Sequence, residues 1–395
     1  MKTWHIIKES ALVTTMSLIL FYLLTLAPVK KKYYKVMPGG VDFEVYDLIF
    51  TGSMKPGIIN DTNIVLVELG DTRGEIADQL NILNKYQPKV IAIDAIFDSE
   101  GEPLENMKLE MALAQNDRIV MGSLLADTPA LRVDKGLFHA AVKEKEGYIN
   151  INADKITSVV RSYYPFINVG QVTHPSFTSE IVKWYDDRAY QKLQKRGNEI
   201  EMINYTANLE NYFNISKEQL ADYDSTGQLE KLKGKIILMG FFKNQPPLVL
   251  DDLHFTPMNP VFSGKSFPDM YGIVIHANIL SMILSDQYIN MASKNMSYVY
   301  AFIITFLFSL FIIEAHYGDN NPRLKKLGLI QYIIIVLVGY VFIQLFHYTR
   351  YKVYLEPIVV SMVISIVFLS YYKSLANFLH KKFKYRTIFA EKPKT

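Results

Sequence analysis

The chain has 395 residues, of which 50% are hydrophobic, and it contains no cysteine. Disulfide bonds and thiolate metal sites are therefore excluded. The formal net charge of +3 hides a segregation: residues 1–35 and 298–395 together hold 18 Lys and Arg against 5 Asp and Glu, whereas residues 36–297 hold 24 against 34. An acidic central part argues against nucleic acid as a partner, because phosphate binding needs clustered basic side chains.

A first apolar segment runs from Ala11 to Val29 without a charged residue. Its 19 residues are just long enough to cross the hydrocarbon core of a membrane. A cleaved signal peptide is the alternative, but the segment exceeds a usual signal core, and Pro28 directly follows Ala27, the only plausible cleavage position. We predict an uncleaved transmembrane anchor within residues 1–35.

The next elements form a strand–helix–strand unit. Ile64–Glu68 is an apolar run typical of a strand that is buried on both faces. Glu75–Tyr86 carries apolar residues at helical spacing, with Asp71 or Thr72 placed to cap it, and Lys89–Asp94 is a second apolar strand. Such a unit predicts a parallel pairing of its strands and a right-handed crossover.

Strands and helices keep alternating as far as Leu284. Further strands are predicted at 118–123, 200–205 and 235–240, and helices at 104–114, 175–194 and 272–284. This alternation predicts a single α/β domain over residues 36–297, with a mostly parallel sheet flanked by helices.

Three more apolar segments follow, at 298–313, 327–346 and 357–372. None of them contains Asp, Glu, Lys or Arg. Intramembrane charge is the usual mark of a transport path, so a transporter is disfavoured. Together with the first segment they predict four transmembrane helices, three of which form a bundle over residues 298–372.

The distribution of basic residues predicts an orientation. Residues 373–395 carry seven Lys and Arg, which places this tail in the cytoplasm. Four spans then put both termini inside and residues 36–297 outside. Four lysines oppose this orientation, because they would lie on the outer side: Lys30, Lys31, Lys32 and Lys35. The tail either lies as a helix on an anionic lipid leaflet or remains solvated, and both interpretations stay open.

Seven short motifs occur in order between residues 46 and 278. They are Tyr46–Phe50, Ile91–Phe97, Gly147–Asn150 followed by Asp154 and Arg161, Ile203–Tyr205, Gly234–Gly240, Thr256–Pro257 and Gly272–Asn278. In this order they resemble the second type of CHASE domain, an extracytoplasmic sensory module of bacterial cyclases and histidine kinases. One span before the domain and three after it are similar to that family's architecture. The resemblance implies a sensory fold in the bacterial inner membrane.

The chain also departs from the family pattern. The loop after the first strand is short, at Gly70–Arg73, and Val274 replaces the glutamate of the last motif. The 23 residues after the last span are too few for a cyclase or kinase domain. The resemblance therefore implies a sensor that signals to a separate intracellular partner, and, because the family's chains pair, a homodimer.

Ligands of an open parallel sheet bind outside the carboxyl ends of its strands. Six residues at these ends are predicted to contact a small ligand: Glu68, Asp71, Asp94, Phe97, Phe241 and Lys243. Convergent carboxylates would favour a cation or the amine of a small molecule. The alternative is that Asp94 caps a helix or a loop and that the other carboxylates are solvated.

Ten residues of the family motifs are predicted to have structural roles: Tyr46, Asp47, Asn150, Asp154, Arg161, Asn204, Thr256, Pro257, His276 and Asn278. Arg161 is expected to pair with Asp154, and Asn278 to hydrogen-bond a loop. Four further residues have the composition of a metal site: Asp251, Asp252, His254 and Asp269. They lack a second histidine at helical spacing, so neither a metal nor a cofactor is predicted.

The sequence favours a function without catalysis. It contains no nucleophile elbow, no phosphate-binding glycine loop and no His-Glu-x-x-His motif, so we predict that the chain is not an enzyme. The leading hypothesis is a membrane-anchored extracytoplasmic sensor, with membrane lipid and an intracellular protein as partners. A cell-envelope scaffold without a small-molecule ligand is the main alternative. A periplasmic hydrolase that uses Asp71, Asp94 and a metal is the third.

Overall fold

The computed structural model describes residues 2–26, 45–51, 61–97, 101–126, 130–154, 157–243, 252–259, 267–317 and 328–390. Eight residues named in the sequence analysis lie outside the described residues: Ala27, Pro28, Val29, Lys30, Lys31, Lys32, Lys35 and Asp251. The chain divides into two compact units, Gly39–Ile289 and a second unit that joins Met1–Pro38 to Asn290–Thr395. We call them the α/β unit and the helical unit.

The described elements are as follows. The helices are α1 (Lys2–Thr25), α2 (Asp47–Thr51), α3 (Arg73–Lys85), α4 (Pro103–Ala114), α5 (Phe177–Tyr185), α6 (Asp187–Arg196), α7 (Lys217–Ser225), α8 (Gly272–Leu284), α9 (Lys294–Tyr317), α10 (Gly328–Thr349) and α11 (Glu356–Phe383). The strands are β1 (Ile64–Glu68), β2 (Val90–Ile93), β3 (Ile119–Ala126), β4 (Arg132–Asp134), β5 (Glu146–Tyr148), β6 (Ser162–Tyr163), β7 (Phe166–Val169), β8 (Val172–Pro175), β9 (Glu201–Met202), β10 (Phe213–Ile215), β11 (Ile236–Gly240), β12 (Leu253–His254), β13 (Met270–Tyr271), β14 (Asn290–Met291) and β15 (Tyr351–Lys352).

A parallel sheet forms the centre of the α/β unit. Its strands follow the spatial order β10, β1, β11, β2, β3 and β5, and β4 pairs antiparallel with the end of β3. The predicted α/β fold with a mostly parallel sheet is therefore confirmed.

The two strands of the first strand–helix–strand unit are parallel but not adjacent. Strand β11 lies between them, since Ile236 is in register with Ile64 on one side and with Val90 on the other. A crossover connection fixes the direction of two strands and its own hand, but it leaves space for a later strand between them. Strand β11 fits this position because all five of its residues are buried and apolar or small.

Helices cover both faces of the sheet. On one face α3 and α4 contribute Leu80, Leu83 and Leu109 to the core formed with β1, β2 and β11. On the other face α5 and α8 pack against the sheet. Two covered faces explain why the strands are continuous apolar runs. Thr72 caps α3, because its hydroxyl accepts a hydrogen bond from the Glu75 backbone at 3.2 Å.

A single side chain anchors α8 inside the unit. Asn278 is fully buried, and its Oδ1 accepts hydrogen bonds from the backbone N–H groups of Thr206 and Ala207 at 2.9 and 3.1 Å. Its Nδ2 donates to the carbonyl groups of Ala207 and Val274 at 2.8 and 2.9 Å. Three of these bonds tie the middle of α8 to segment 206–207, and the fourth stays within the helix.

The helical unit contains four helices that are long and apolar enough to cross a membrane, judged by length and composition. They extend over Thr3–Thr25, Lys294–Ala315, Leu329–Thr349 and Glu356–Phe383. Helices α1, α9 and α11 pack against one another, and α10 packs against α11. Helix α1 begins nine residues before the predicted segment at Ala11, so Lys8 and Glu9 lie within it.

Polar side chains line the interior of the α1–α9–α11 bundle. They are Glu9, Ser10, Thr14, Ser17, Thr305, Ser309, Ser361 and Ser365, each at most 2% exposed. Glu9 accepts a hydrogen bond from the hydroxyl group of Tyr372, and Thr14 donates to Ser309 at 3.4 Å. Small hydroxyl residues allow helices to approach closely, whereas a buried carboxylate needs a donor.

Candidate functional site

The carboxyl edge of the sheet carries two separate groups of charged side chains. The first, which we call the rim cluster, consists of Glu68, Asp71, Lys217 and Lys243. Glu68 Oε1 lies 3.4 Å from Lys243 Nζ, and the Lys217 ammonium group donates a hydrogen bond to Asp71. The Asp71 side chain is 69% exposed, so this pair lies at the surface. Both signs of charge are present, and each carboxylate has a lysine partner.

Pairing shifts the pKa values of Asp71 and Lys217 in the rim cluster. The hydrogen bond and charge of Lys217 lower the pKa of Asp71 below its ordinary value. The same contact raises the pKa of Lys217. At neutral pH these groups are therefore ionised and mutually satisfied, which reduces their attraction for an added cation.

The second group, which we call the interior cluster, consists of Asp94, Asp252, His254 and His276. Asp94 follows β2, and its Oδ2 lies 4.0 Å from Nε2 of His276, on the second turn of α8. Asp252 and His254 come from the segment around β12 and face the first residue of the same helix. A Cβ on Gly272 would lie 3.7 Å from Asp252 Oδ1 and 3.8 Å from His254 Nε2. Both distances are ordinary van der Waals contacts, so Asp252 and His254 lie against the first turn of α8.

Burial dominates the electrostatics of the interior cluster. It raises the pKa of Asp94 to about 7. It also raises the pKa of Asp252 to about 7, with a further contribution from the charge of Asp94. Burial lowers the pKa of His276 to about 4, opposed by the Ile149 carbonyl group, and lowers that of His254, with His276 adding to the effect. The cluster therefore becomes negative near pH 7 and stays without compensating imidazolium charge.

The two aromatic residues of the predicted ligand set lie in different environments. Phe97 is buried, packs edge-to-face on Phe138 with ring centres 5.6 Å apart, and lies under the guanidinium group of Arg73. Phe241 packs edge-on against Tyr271 at 6.0 Å, beside the start of α8. The six predicted ligand residues are thus not gathered in one place: three belong to the rim cluster, Asp94 belongs to the interior cluster, Phe97 lies in the core and Phe241 lies beside the start of α8.

The family-motif residues build the framework around these clusters. Arg161 Nη2 lies 2.6 Å from Asp47 Oδ2, with both side chains nearly buried. Asp154 accepts a hydrogen bond from the Thr157 backbone at 2.8 Å. The sequence analysis named Asp154 as the partner of Arg161, and Asp47, about a hundred residues earlier, supplies the ion pair described here.

Other motif residues fix loops next to the carboxyl edge. Thr256 donates to Asp269 through its backbone and its hydroxyl group, at 2.9 and 2.6 Å, ahead of Pro257. Asn150 exchanges two hydrogen bonds with the Leu125 backbone. At the other end of α8, Asn204 donates to the Gln287 carbonyl group, and Tyr46 is buried.

The interior cluster brings together residues that the sequence analysis kept apart. It assigned Asp94 to a ligand set and Asp252 and His254 to a weak metal pattern, and it treated His276 as structural. Within the described ranges, no group of three or more His, Asp or Glu side chains could hold a metal ion. Lys217 was missed because the short strand β10 before it was not recognised, although the rule that ligand residues follow parallel strands applies to it as well.

Comparison with known proteins gives one match. The sequence profile described as "CHASE2 domain" matches residues 19–313. No curated protein and no solved structure matches the chain.

Proposed function

The chain belongs to the CHASE2 domain family, a family of sensory domains, and we propose that it is a membrane-anchored extracytoplasmic sensor that signals to a separate intracellular protein. A stimulus received at the carboxyl edge of the sheet changes the position of α8. Because α8 leads into the first helix of the bundle after the domain, the change passes to the helical unit and to the partner protein.

The course of α8 is the observation that carries this proposal. Its first two turns hold Gly272 and His276 against the interior cluster. Its last residue, Leu284, is followed by only nine residues, 285–293, before α9 begins at Lys294. A buried, hydrogen-bonded helix transmits displacement along its axis, since its packed core does not deform continuously. The chain thus offers a short covalent route from the cluster to a candidate membrane span.

The interior cluster supports a sensing role better than the rim cluster does. Every carboxylate of the rim cluster has a lysine partner. Asp94 and Asp252 form no ion pair with a lysine or arginine of the described residues. Titratable groups with strongly shifted pKa values, gathered at one edge of a sheet, are typical of functional sites.

The membrane arrangement is part of the proposal. Four helices have the length and composition of spans, and the seven basic residues of 373–395 favour a cytoplasmic tail. We expect both termini inside the cell and the α/β unit outside the bacterial inner membrane. In spheroplasts, a membrane-impermeant maleimide should label Asn198→Cys and spare Lys381→Cys. The opposite labelling pattern would rule out this orientation.

Coupling between the cluster and the bundle has a direct test, because any introduced cysteine is the only one in the chain. The reporter is Ser293→Cys, directly before α9, labelled with maleimide in membrane vesicles. Combined with Asp94→Asn, its labelling rate should change by about fivefold or more. Combined with Asp71→Asn, the matched control at the rim cluster, the rate should remain that of the parent. Equal rates in all three proteins would refute the sensor proposal.

An envelope scaffold is the second candidate, and one surface favours it. Leu104, Met107 and Met111 lie at helical spacing on α4, and each is more than half exposed. An apolar stripe of this kind is typical of a protein–protein contact. Met107→Glu should abolish association with a second copy of the chain in native mass spectrometry if α4 provides the contact, and an unchanged dimer would remove this support.

A further inference from the structure

The sensor proposal leaves its stimulus unnamed, and the inference that follows rests on that proposal. We propose that the stimulus is the proton: the interior cluster is a proton-binding site that communicates with solvent through a crevice ending at His276. Three observations carry this inference, namely the shape of the crevice, the position of His276 and the composition of the cluster.

The crevice lies between α8, the start of α5 and the segments around β5 and β6. Tyr148, Ser162, Tyr163, Ser176, Thr178 and His276 are among its lining residues. It has room for about one water molecule, which is too little for an organic solute. Two of its buried polar atoms, His276 Nδ1 and the hydroxyl oxygen of Tyr163, have no hydrogen-bond partner among the described residues. A space of this size with two free polar groups suits water and the protons that water carries.

His276 joins the crevice to the buried carboxylate. His276 is one of the residues that line the crevice, its Nδ1 is buried without a hydrogen-bond partner among the described residues, and its Nε2 faces Asp94 Oδ2 at 4.0 Å. A shift of roughly 1 Å would bring the two atoms into hydrogen-bond distance. A proton from a hydronium ion in the crevice can then bind Nδ1, while the proton on Nε2 passes to Asp94 Oδ2. The products are water, a neutral carboxylic acid and an imidazole in its other tautomer, so the charge of the hydronium ion has neutralised that of the carboxylate.

The surroundings of the cluster explain why it takes up protons. His276 of α8 faces Asp94. Two groups face Asp252, namely His254 from the same segment and Tyr271 at the start of α8. The two carboxylates raise each other's free energy when ionised, and neither imidazole is charged near neutral pH. Uptake of up to two protons removes this repulsion as the external pH falls through about 7.

A metal cation is the other way to neutralise two carboxylates. Three or more donors at ligand distance would be needed, and the part of the chain that the structure describes contains no such group. The proton needs only one acceptor and a path, and the crevice with His276 supplies the path. The geometry therefore favours the proton over a metal ion.

The first experiment measures protonation in the full chain in lipid nanodiscs. Infrared difference spectra are recorded from about pH 5 to about pH 9, in the C=O stretch of protonated carboxylic acids. We expect a band that titrates with a midpoint near 7, is weakened in Asp94→Asn and is lost in the double variant Asp94→Asn, Asp252→Asn. A midpoint in the ordinary aspartate range, or a band that Asp94→Asn leaves unchanged, would overturn the inference.

The second experiment separates this inference from the sensor proposal. Hydrogen exchange of α8 is expressed as protection factors, which remove the intrinsic effect of pH. In the parent chain, the protection factors of α8 should change with pH, and the midpoint of this change should equal the midpoint of the infrared titration. In the double variant Asp94→Asn, Asp252→Asn, the protection factors should stay at every pH at the value that the parent chain has at acidic pH. If α8 ignores pH while Asp94→Asn still alters Ser293→Cys labelling, the sensor proposal stands and the proton inference is refuted. A response that requires added Zn²⁺ or Mn²⁺ and is reversed by a chelator would also refute it.

The role of His276 needs a kinetic test, because a merely structural residue would alter stability instead. After a rapid pH jump, His276→Gln should take up protons at least about tenfold more slowly than the parent, with an unchanged midpoint. His174→Gln is the control, since His174 lies in β8, outside the interior cluster and outside the lining residues of the crevice. Equal uptake rates in the two variants would exclude His276 as the relay.

Discussion

The rim cluster and the interior cluster occupy the same edge of the same sheet, yet the pKa values of Asp71 and Asp94 are shifted in opposite directions. Lys217 lowers the pKa of Asp71, whereas burial raises that of Asp94 to about 7. Both aspartates lie at the carboxyl end of a parallel strand, Asp71 three residues after β1 and Asp94 directly after β2. The difference comes from segments that arrive from far along the chain, a lysine in one case and a buried helix in the other. Equivalent positions on a fold therefore do not imply equivalent chemistry.

The largest expected effect comes from removing the amide that supports each cluster. Asn278→Ala removes the side-chain partner of three backbone groups beside α8, the N–H groups of Thr206 and Ala207 and the Ala207 carbonyl group, and should lower the free energy of unfolding by about 4 kcal/mol. Gln79→Ala removes two bonds, to Gly70 and Glu68 below the rim cluster, and should cost about 2 kcal/mol. Urea denaturation of the solubilised protein measures both losses in the free energy of unfolding. Equal losses in the two variants would contradict the expectation that the interior cluster depends more strongly on its supporting amide.

Phe97 and Phe241, the two aromatic residues that follow strands at this edge, should also differ in their contributions to the free energy of unfolding. Phe97→Ala opens a cavity between Phe138 and Arg73 in the core and should cost about 3 kcal/mol. Phe241→Ala loses mainly an edge contact with Tyr271 and should cost about 1 kcal/mol. Thermal melting of the two variants checks the order. A larger loss at Phe241 would mean that the start of α8 depends on this contact more than the core depends on Phe97.

The pH dependence of stability should be opposite in sign at the two clusters. The folded pKa of Asp94 is about 7, above its unfolded value of 3.8, so ionisation opposes folding. The contribution of Asp94 to the free energy of unfolding falls as the pH rises from about 4 to about 7. Above that range the protein remains destabilised by the ionised carboxylate. Asp94→Asn should therefore stabilise the protein at pH 8 by on the order of 2 kcal/mol and leave it unchanged near pH 4. Denaturation midpoints over this range test the slope.

The smallest effect is expected at the rim cluster. The folded pKa of Asp71 is lowered, so its pair with Lys217 stabilises the protein above the unfolded value and this stabilisation is lost as the pH falls through the folded value. Because the carboxylate is largely exposed, Asp71→Asn should cost less than about 1 kcal/mol at neutral pH. High salt should remove the difference. A salt-independent loss would indicate a contact other than the ion pair.

Local patterns carried most of the fold prediction. The apolar run of β1, the cap at Thr72 and the helical spacing of α3 each depend on neighbours in sequence, so they could be interpreted from the residues alone. The insertion of β11 between β1 and β2 depends on contacts made about 150 residues later, which no local pattern contains. The convergence of Asp252 and His254 on Gly272 is non-local in the same way.

The first membrane segment shows a different limit of the sequence analysis. A search for charge-free stretches begins at Ala11 and therefore leaves out Glu9. The helix begins at Lys2 and includes Glu9, which accepts a hydrogen bond from the Tyr372 hydroxyl group of α11. A sequence window around Glu9 contains its charge, but it does not contain Tyr372, the distant residue that donates a hydrogen bond to it.

The contact between Glu9 and Tyr372 has a consequence for biosynthesis. The two residues are 363 positions apart, so the first helix emerges from the ribosome long before its partner is made. In a bilayer, an acidic side chain without a donor is held near the water boundary. Helix α1 would therefore settle at its final depth only when α11 has been inserted, by which time the intervening domain has already been synthesised. The final step of assembly is then the packing of α1 against α11. A chain that terminates before Tyr372 could not form this contact.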